Sequence, residues 1–591
     1  MQRHGESSEV LWAAVVGDDE DLDPCTIGGW RRGRMAPRSA RNLLVLARIE
    51  ARYGLPKGYF LGKLPHPCRS ATFGAAPRLS NAERRRLAWH LPLDFDTRPR
   101  TEQDEILEWV RRIVVSGATE YRRYQSSSLK QHFGIRFNRR APDDGDCREP
   151  KPSTMLLPTP RLAQEMRDLV AFKTAILTEP GYGRRGVWGG ETASQKMEHF
   201  GLMLGALSAS PDGAVRGYGV APATLTLALL VFPRVWDWYL TWRERRRGFY
   251  TVWEVDMLSS IIGLTAAETG WLAQTPSIVD HLTPIAGLVD ASDIEQARTD
   301  WLAACARVRT HALVRVKEIE RVARVHRDPF EPILPVLEAT SPLSEYRKIA
   351  NEVVRLMPDA RRYPRGAAEA QRSLMLLRFG LHLGVRQKNL RQLLLKLPGQ
   401  PPSSERTLMD LKRGELRWSD RDNGWEAFIP ANAFKNAGSS FFGGRPFRLA
   451  LPDLQGLYAH IDQYVRVSRP LLLGSANDPG TFFVKTAKRT STCASYDSAT
   501  FYEAWRFMTQ RYGVYNPYTG RGAIKGLLPH GPHNVRDVLA THILKQTGSF
   551  EQASYAIQDT PEIVAKHYGR FLPENKAYLA AQILNRVWEA P

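Results

Sequence analysis

Cysteine is scarce in this chain and forms no pattern. The five present, Cys25, Cys68, Cys147, Cys305 and Cys493, are scattered, odd in number and without a CxxC pair. That argues against a disulfide framework and a structural zinc, and it fits a reducing compartment. Long apolar runs are also missing. The most apolar stretch, 221–240, contains Pro233, Arg234 and Asp237 and makes no spanning segment. The amino terminus, MQRHGESSEV, has no apolar signal core. There is no P-loop and no acidic metal cluster, so neither a cofactor nor a metal is expected. Acidic charge is in deficit: 62 Asp and Glu stand against 82 Lys and Arg, a net charge of +20. A surplus of that size points to a polyanionic partner, nucleic acid first and an acidic membrane second. With no spanning segment, the membrane reading falls away.

At 591 residues the chain is too long for one core. Residues 1–70 read as a small helical domain, with Leu43, Leu46, Ile49 and Tyr53 at helical spacing. Arg31, Arg32, Arg34, Arg38 and Arg41 crowd the turn before them. Two readings stand: a helix-turn-helix DNA-binding domain, or a solvated basic surface on a helical interaction domain. Residues 71–152 read as a helical connector, amphipathic over 105–115, closing in the linker RRAPDDGDCREPKP. Residues 153–335 read as wholly helical. The spacing predicts helices before Gly181, over 197–207, over 225–242, from Ser292 as N-cap to 306, and over 312–325. Trp236, Trp238, Tyr239 and Trp242 are expected to pack the core, and Arg243, Arg245, Arg246 and Arg247 to face phosphates. Gly181, Gly183 and Gly186 spell GxGxxG, but no strand precedes them and Pro180 abuts them. An Arg-bearing loop is expected there instead of a dinucleotide site.

Residues 336–591 change character. A nearly all-apolar helix over 373–383 ends at Gly384, followed by Arg386. A Leu-rich helix is predicted over 389–397. Strands are predicted only from there on, over 415–419, 425–429 and 447–451, with Asp422-Asn423-Gly424 as a hairpin turn. Lys435 lies between the second and third strands. The run PHGPHNVRDVL then places His533 and Arg536 on the first turn of a helix, and KHYGRF places Tyr568 further on. An Arg grips phosphate oxygens through a planar fork, and a Tyr can act as nucleophile. Singly, each has an ordinary reading: a helix-terminal charge for Arg386, a turn lysine, a helix-capping His, a core Tyr. His530, His533 and His542 lack the carboxylate and thiolate partners of a metal site.

The order Arg386, Lys435, His533-x-x-Arg536, Tyr568, in that helical and hairpin context, resembles the catalytic domain of the tyrosine recombinase (phage integrase) family over roughly 340–575. Residues 155–335 resemble that family's helical core-binding domain. The resemblance implies a mainly α, multidomain chain: a helical core-binding domain at 153–335 and an α+β catalytic domain with a small antiparallel sheet at 336–591. It implies a site-specific recombinase or integrase of a mobile element, at work in the bacterial cytoplasm with the nucleoid. The partners would be double-stranded DNA, further copies in a tetramer, and other recombinases of the same element. Arg386 and Arg536 would clamp the non-bridging phosphate oxygens. Lys435 would protonate the leaving 5′-oxygen. His533 would act as acid or base or bind a phosphate oxygen. Tyr568 would form a 3′-phosphotyrosyl link, which conserves bond energy. Tyr555 is the rival nucleophile, 19 residues past Arg536 against 32 for Tyr568, and the family pattern favours the longer spacing. Two positions depart from that pattern. Where a His or Trp is usual, nine residues before the nucleophile in a Leu-Gly-His context, this chain has Ile557, Gln558 and Asp559. An Asp beside a phosphate is repulsive unless paired or protonated, so Asp559 is expected to orient Arg536 or His533. Asn389 stands where an acidic residue is common. The final helix, Ala577 to Trp588, would pack on its own domain or on a neighbouring protomer. Two other functions stay open: a non-catalytic DNA-binding regulator or accessory protein with a recombinase-like domain, and a type IB topoisomerase.

Overall fold

The computed structural model describes residues 4–17, 21–32, 35, 37, 39–56, 59–62, 87–92, 94–95, 98–115, 133–137, 156–323, 328–488 and 491–569. Beyond 569 it describes only 578, 580–582, 584–586 and 588. Arg34, Arg38, the linker at 139–152 and, in the expected final helix, Ala577, Leu579, Ile583 and Val587 therefore lie outside the described residues. The protein is mostly helical with one small sheet. It forms two compact units: residues 1–118 together with 329–591, and residues 119–328.

In the first unit, Ser39 caps the helix Ala40–Arg52, and Leu43, Leu46 and Ile49 on one face join Leu11, Ile27 and Trp30 in a small core. Arg31, Arg32 and Arg41 are exposed. The helix Arg100–Trp109 continues into a π-helical turn, Val110–Val115. The main core of this unit forms around the helix Pro364–Leu383, whose Leu374, Met375, Leu377 and Phe379 are buried. The sheet has four strands in the order β1 (Leu394–Leu395), β2 (Glu415–Ser419), β3 (Gly424–Ile429) and β4 (Phe447–Ala450). Strands β2 to β4 form an antiparallel meander, with Asn423 at a left-handed φ of 46° in the first turn.

The sheet is mixed, which corrects the expected all-antiparallel one. The Leu-rich segment after Arg386 makes only one helical turn, Gln387–Arg391, and then pairs as β1 parallel to β2. A short apolar run reads equally as helix or buried strand. Here the backbone partners decide it: Leu394 N donates to Gly414 O, Lys396 N to Leu416 O and Leu395 N to Gly480 O. The crossover through the helix Glu405–Leu411 makes β1 parallel to β2.

The second unit is wholly helical in its described long elements, and three predicted helices are recut, the one expected over 312–325 being part of a longer helix. Proline cannot continue a helix but suits its first turn. The 225–242 stretch is accordingly a 3₁₀ segment, Leu227–Val231, followed by the helix Pro233–Arg247. The helix expected from Ser292 is Ala291–Thr299, capped at Asp290, whose N–H donates to Asp293. It breaks at Asp300, which caps the helix Trp301–Val322. Trp236, Tyr239 and Trp242 are buried as expected. The arginines beside them are a correction. Arg243 and Arg247 turn inward onto Glu254, and Arg246 stacks on Phe133 and Trp242. Of the four, Arg245 is the exposed one. The GxGxxG stretch is a loop, pinned by paired bonds between Gly183 and Gln274. No helix of the described residues is long and apolar enough to cross a membrane.

Candidate active site

Three chain segments meet in the first unit. The helix Pro364–Leu383 stops at Gly384, whose φ of 60° suits glycine. A Cβ there would lie 2.0 Å from the Ala556 carbonyl. That approach seats Arg386 against the end of the helix Phe550–Ile557. Arg386 then donates to Asp559 Oδ2 at 2.8 Å and, more weakly, to Asn436 Oδ1 at 3.4 Å.

Arg536 lies in the first turn of the helix His533–Thr547 and is 1% exposed. It donates to Ile557 O at 2.7 Å and to the same Asp559 Oδ2 at 2.9 Å. Two guanidiniums thus converge on one carboxylate oxygen. Nε and NH1 of Arg536 are buried with no hydrogen-bond partner among the described residues. Burial, followed by the Arg386 cation, holds the Arg536 guanidinium below its ordinary range, while Asp559 opposes the shift. Gln558, immediately before Asp559, adopts a left-handed conformation at φ 52° and ψ 53°. A β-carbon makes that conformation costly, so the turn that presents Asp559 is strained.

Tyr568 ends the helix Pro561–Tyr568 and is 5% exposed. Its hydroxyl donates to Asp537 Oδ1 at 2.7 Å, and its ring meets Phe330 edge-on. Burial and the Asp537 carboxylate push the phenol far above its ordinary value. His533 is an exposed residue whose imidazole lies near both arginines. Burial, then Arg536 and Arg386, pulls its imidazole down to about 4, so it is neutral at pH 7. Lys435 is exposed, on the loop after the turn Ala431–Ala433, and forms no ion pair among the described residues. Its neighbour Asn436 makes the contact instead, bonding Arg386 and the Gln558 carbonyl.

The fold therefore brings Arg386, Arg536 and Asp559 into direct contact. Tyr568 and His533 lie within electrostatic reach of that cluster, and the Lys435 side chain does not bond to it. Asp559 pairs with both arginines; no hydrogen bond joins it to His533. Asn389 donates to the Ala433 carbonyl, a bond that ties the Arg386 turn to the Lys435 loop. Tyr555 is exposed, its ring tilted against Phe441 and edge-on to Phe442, with ring centroids 4.9 and 6.1 Å away. His530 is buried against the Tyr346 hydroxyl and the Leu528 carbonyl. Among the described residues no cluster of His, Cys, Asp and Glu could hold a metal ion. Sequence reasoning missed Asn436 and Asp537. The one available signal was that each directly follows a residue already singled out.

No protein-family model matches the chain, and no curated protein matches it in sequence. Among solved structures it aligns with the XerH site-specific recombinase bound to palindromic difH substrate in a post-cleavage complex. The TM-score is 0.27 at 13% identity, over 61% of this chain and 97% of that one. A score that low carries no inference about fold or site.

Proposed function

We propose that the protein is a DNA strand transferase of the tyrosine recombinase type, with 336–591 as its catalytic region and 153–335 as a DNA-binding region. The observation that carries this reading is the convergence of Arg386 and Arg536 on a single anionic oxygen, 173 and 23 residues from Asp559 in sequence. Two cations brought together from such distances suit a phosphodiester, whose transition state spreads charge over non-bridging oxygens. Asp559 Oδ2 would mark where one such oxygen sits. Tyr568 would attack phosphorus, Lys435 would protonate the leaving 5′-oxygen, and neutral His533 would donate to a phosphate oxygen. The basic surplus supports duplex DNA as substrate. Sites would be exchanged between copies on DNA, in a mobile element, as the family resemblance implies.

A second reading has its own observation. Arg536 and Tyr568 are almost wholly buried, and Asp559 already holds the two guanidiniums. A DNA-binding regulator with a closed, inactive site fits that arrangement. The test is covalent capture on nicked duplexes drawn from the DNA flanking the coding sequence. A transferase traps itself through Tyr568 and is resolved by denaturing electrophoresis. A regulator binds the same duplexes and forms no adduct.

A further inference from the structure

We propose that Asp537 is the catalytic base that accepts the Tyr568 proton. The inference rests on the strand-transferase reading. Asp537 follows Arg536 on the helix His533–Thr547 and is 3% exposed. Its Oδ1 accepts the Tyr568 hydroxyl at 2.7 Å, within the reach a general base needs. Its Oδ2 accepts Asn534 Nδ2 at 3.0 Å, from one turn earlier on the same helix. Asn534 Nδ2 is itself fixed by the Pro329 carbonyl at 2.9 Å. The carboxylate is thereby held with one oxygen anchored and the other aimed at the hydroxyl.

The nucleophile needs such a partner. A phenol ordinarily ionises near pH ~10. Burial and the neighbouring carboxylate push Tyr568 higher still, so free phenolate is negligible at pH 7. The proton must leave as the bond to phosphorus forms, and Asp537 is the group in contact with it. As Tyr568 Oη bonds to phosphorus, its proton passes to Asp537 Oδ1. The bond from phosphorus to the 5′-oxygen breaks, and that oxygen takes a proton from the Lys435 ammonium. In the return step an incoming 5′-hydroxyl gives its proton to the Lys435 amine and attacks phosphorus. Asp537 then reprotonates the departing phenolate. Every proton is restored and no co-reactant enters.

Among the described residues, the charged and titratable groups facing this pair include Arg536 and Asp559, Tyr346 with His530 behind it, and His567 beside Tyr568. The test is the single-turnover rate of adduct formation against pH, using the full chain on the nicked flanking duplexes. Wild-type protein should lose rate at acid pH as the carboxylate protonates. Asp537→Asn keeps the shape and a bond to the hydroxyl. It should lower the rate at pH 7 by about 10²-fold or more and abolish the acidic limb. Asp537→Glu should restore the limb with a lower plateau. If Asp537→Asn fails to fold, the Glu variant carries the test, and a Glu variant without an acidic limb overturns the proposal. An Asn variant with wild-type rate and profile also overturns it, leaving the transferase reading intact. No Tyr568-dependent adduct from wild-type protein overturns the transferase reading itself.

Discussion

Glu254 and Asp559 each sit between two arginines, and they do different things. Glu254, in the second unit, accepts from Arg243 Nε at 2.6 Å, from Arg247 NH1 at 3.2 Å, and from the backbone and hydroxyl of Thr251 at 2.8 and 2.7 Å. Both of its oxygens are engaged, and every one of these partners lies within 11 residues. Asp559 offers one oxygen to two guanidiniums that arrive from 173 and 23 residues away. Its other oxygen has no bond among the described residues, whereas both oxygens of Glu254 are engaged; each cluster keeps two arginine nitrogens without a hydrogen-bond partner there, Nε and NH1 of Arg536 in one and Arg243 NH2 and Arg247 Nε in the other. A buried charge whose bonds are met locally closes a helix start. A cluster assembled from distant segments, with its anion only half engaged, holds its cations less completely.

The sharpest way to break this contrast is at the nucleophile. Tyr568→Phe should abolish the covalent adduct while DNA binding, measured by mobility shift, survives; an undiminished adduct would remove Tyr568 from the chemistry and leave Tyr555 to be tested. Next come the clamp residues. Arg386→Ala and Arg536→Ala should each slow adduct formation by about 10²–10³-fold, with thermal melts separating lost chemistry from lost folding at the buried Arg536. On the other side of the comparison, Glu254→Ala leaves Arg243 and Arg247 buried without their anion. It should cost about 3–5 kcal/mol in urea unfolding with no specific effect on the chemistry of correctly folded protein.

The Glu254 contribution should also depend on pH. Burial pushes its carboxyl up, but Arg243, Arg247 and the Thr251 bonds outweigh burial and hold it below the ordinary range. A depressed folded value means that the stabilisation is fully present above the unfolded value of about 4.3 and is lost as pH falls through the folded one. Urea midpoints of wild type and Glu254→Ala should therefore converge in acid, and a constant gap across that window would contradict the assignment. The smallest effect is expected at the strained turn. Gln558→Gly relieves a left-handed residue and should raise stability by up to about 1 kcal/mol; a loss would mean that the Gln558 amide bond to the Tyr555 carbonyl outweighs the strain.

Much of the local structure was legible in the chain. Gly384 at a helix end, Asn423 in a hairpin turn, Pro532 at the entry to the helix His533–Thr547 and the packing of Trp236 and Tyr239 all follow from short-range rules. Misreadings arose where a local pattern had two solutions. The apolar run after Arg386 could be helix or strand, and pairing with Gly414, Leu416 and Gly480 chose strand. Arg243 and Arg247 sit in a basic run that suggests a phosphate-facing surface, yet Glu254, on the next helix, draws both inward.

What the sequence determined by itself is chemistry and local geometry: the cationic surplus, the helix starts and stops, and the residue types that phosphoryl transfer requires. Those depend on composition and on neighbours within a few positions. Tertiary structure decided which groups share charge. Asp559 was a departure in sequence and became the anion between Arg386 and Arg536. Asp537 carried no signal of its own until folding set its carboxylate against Tyr568. Hydrogen bonds act over about 3 Å, so only the fold, which brings segments far apart in sequence to that distance, could make these assignments.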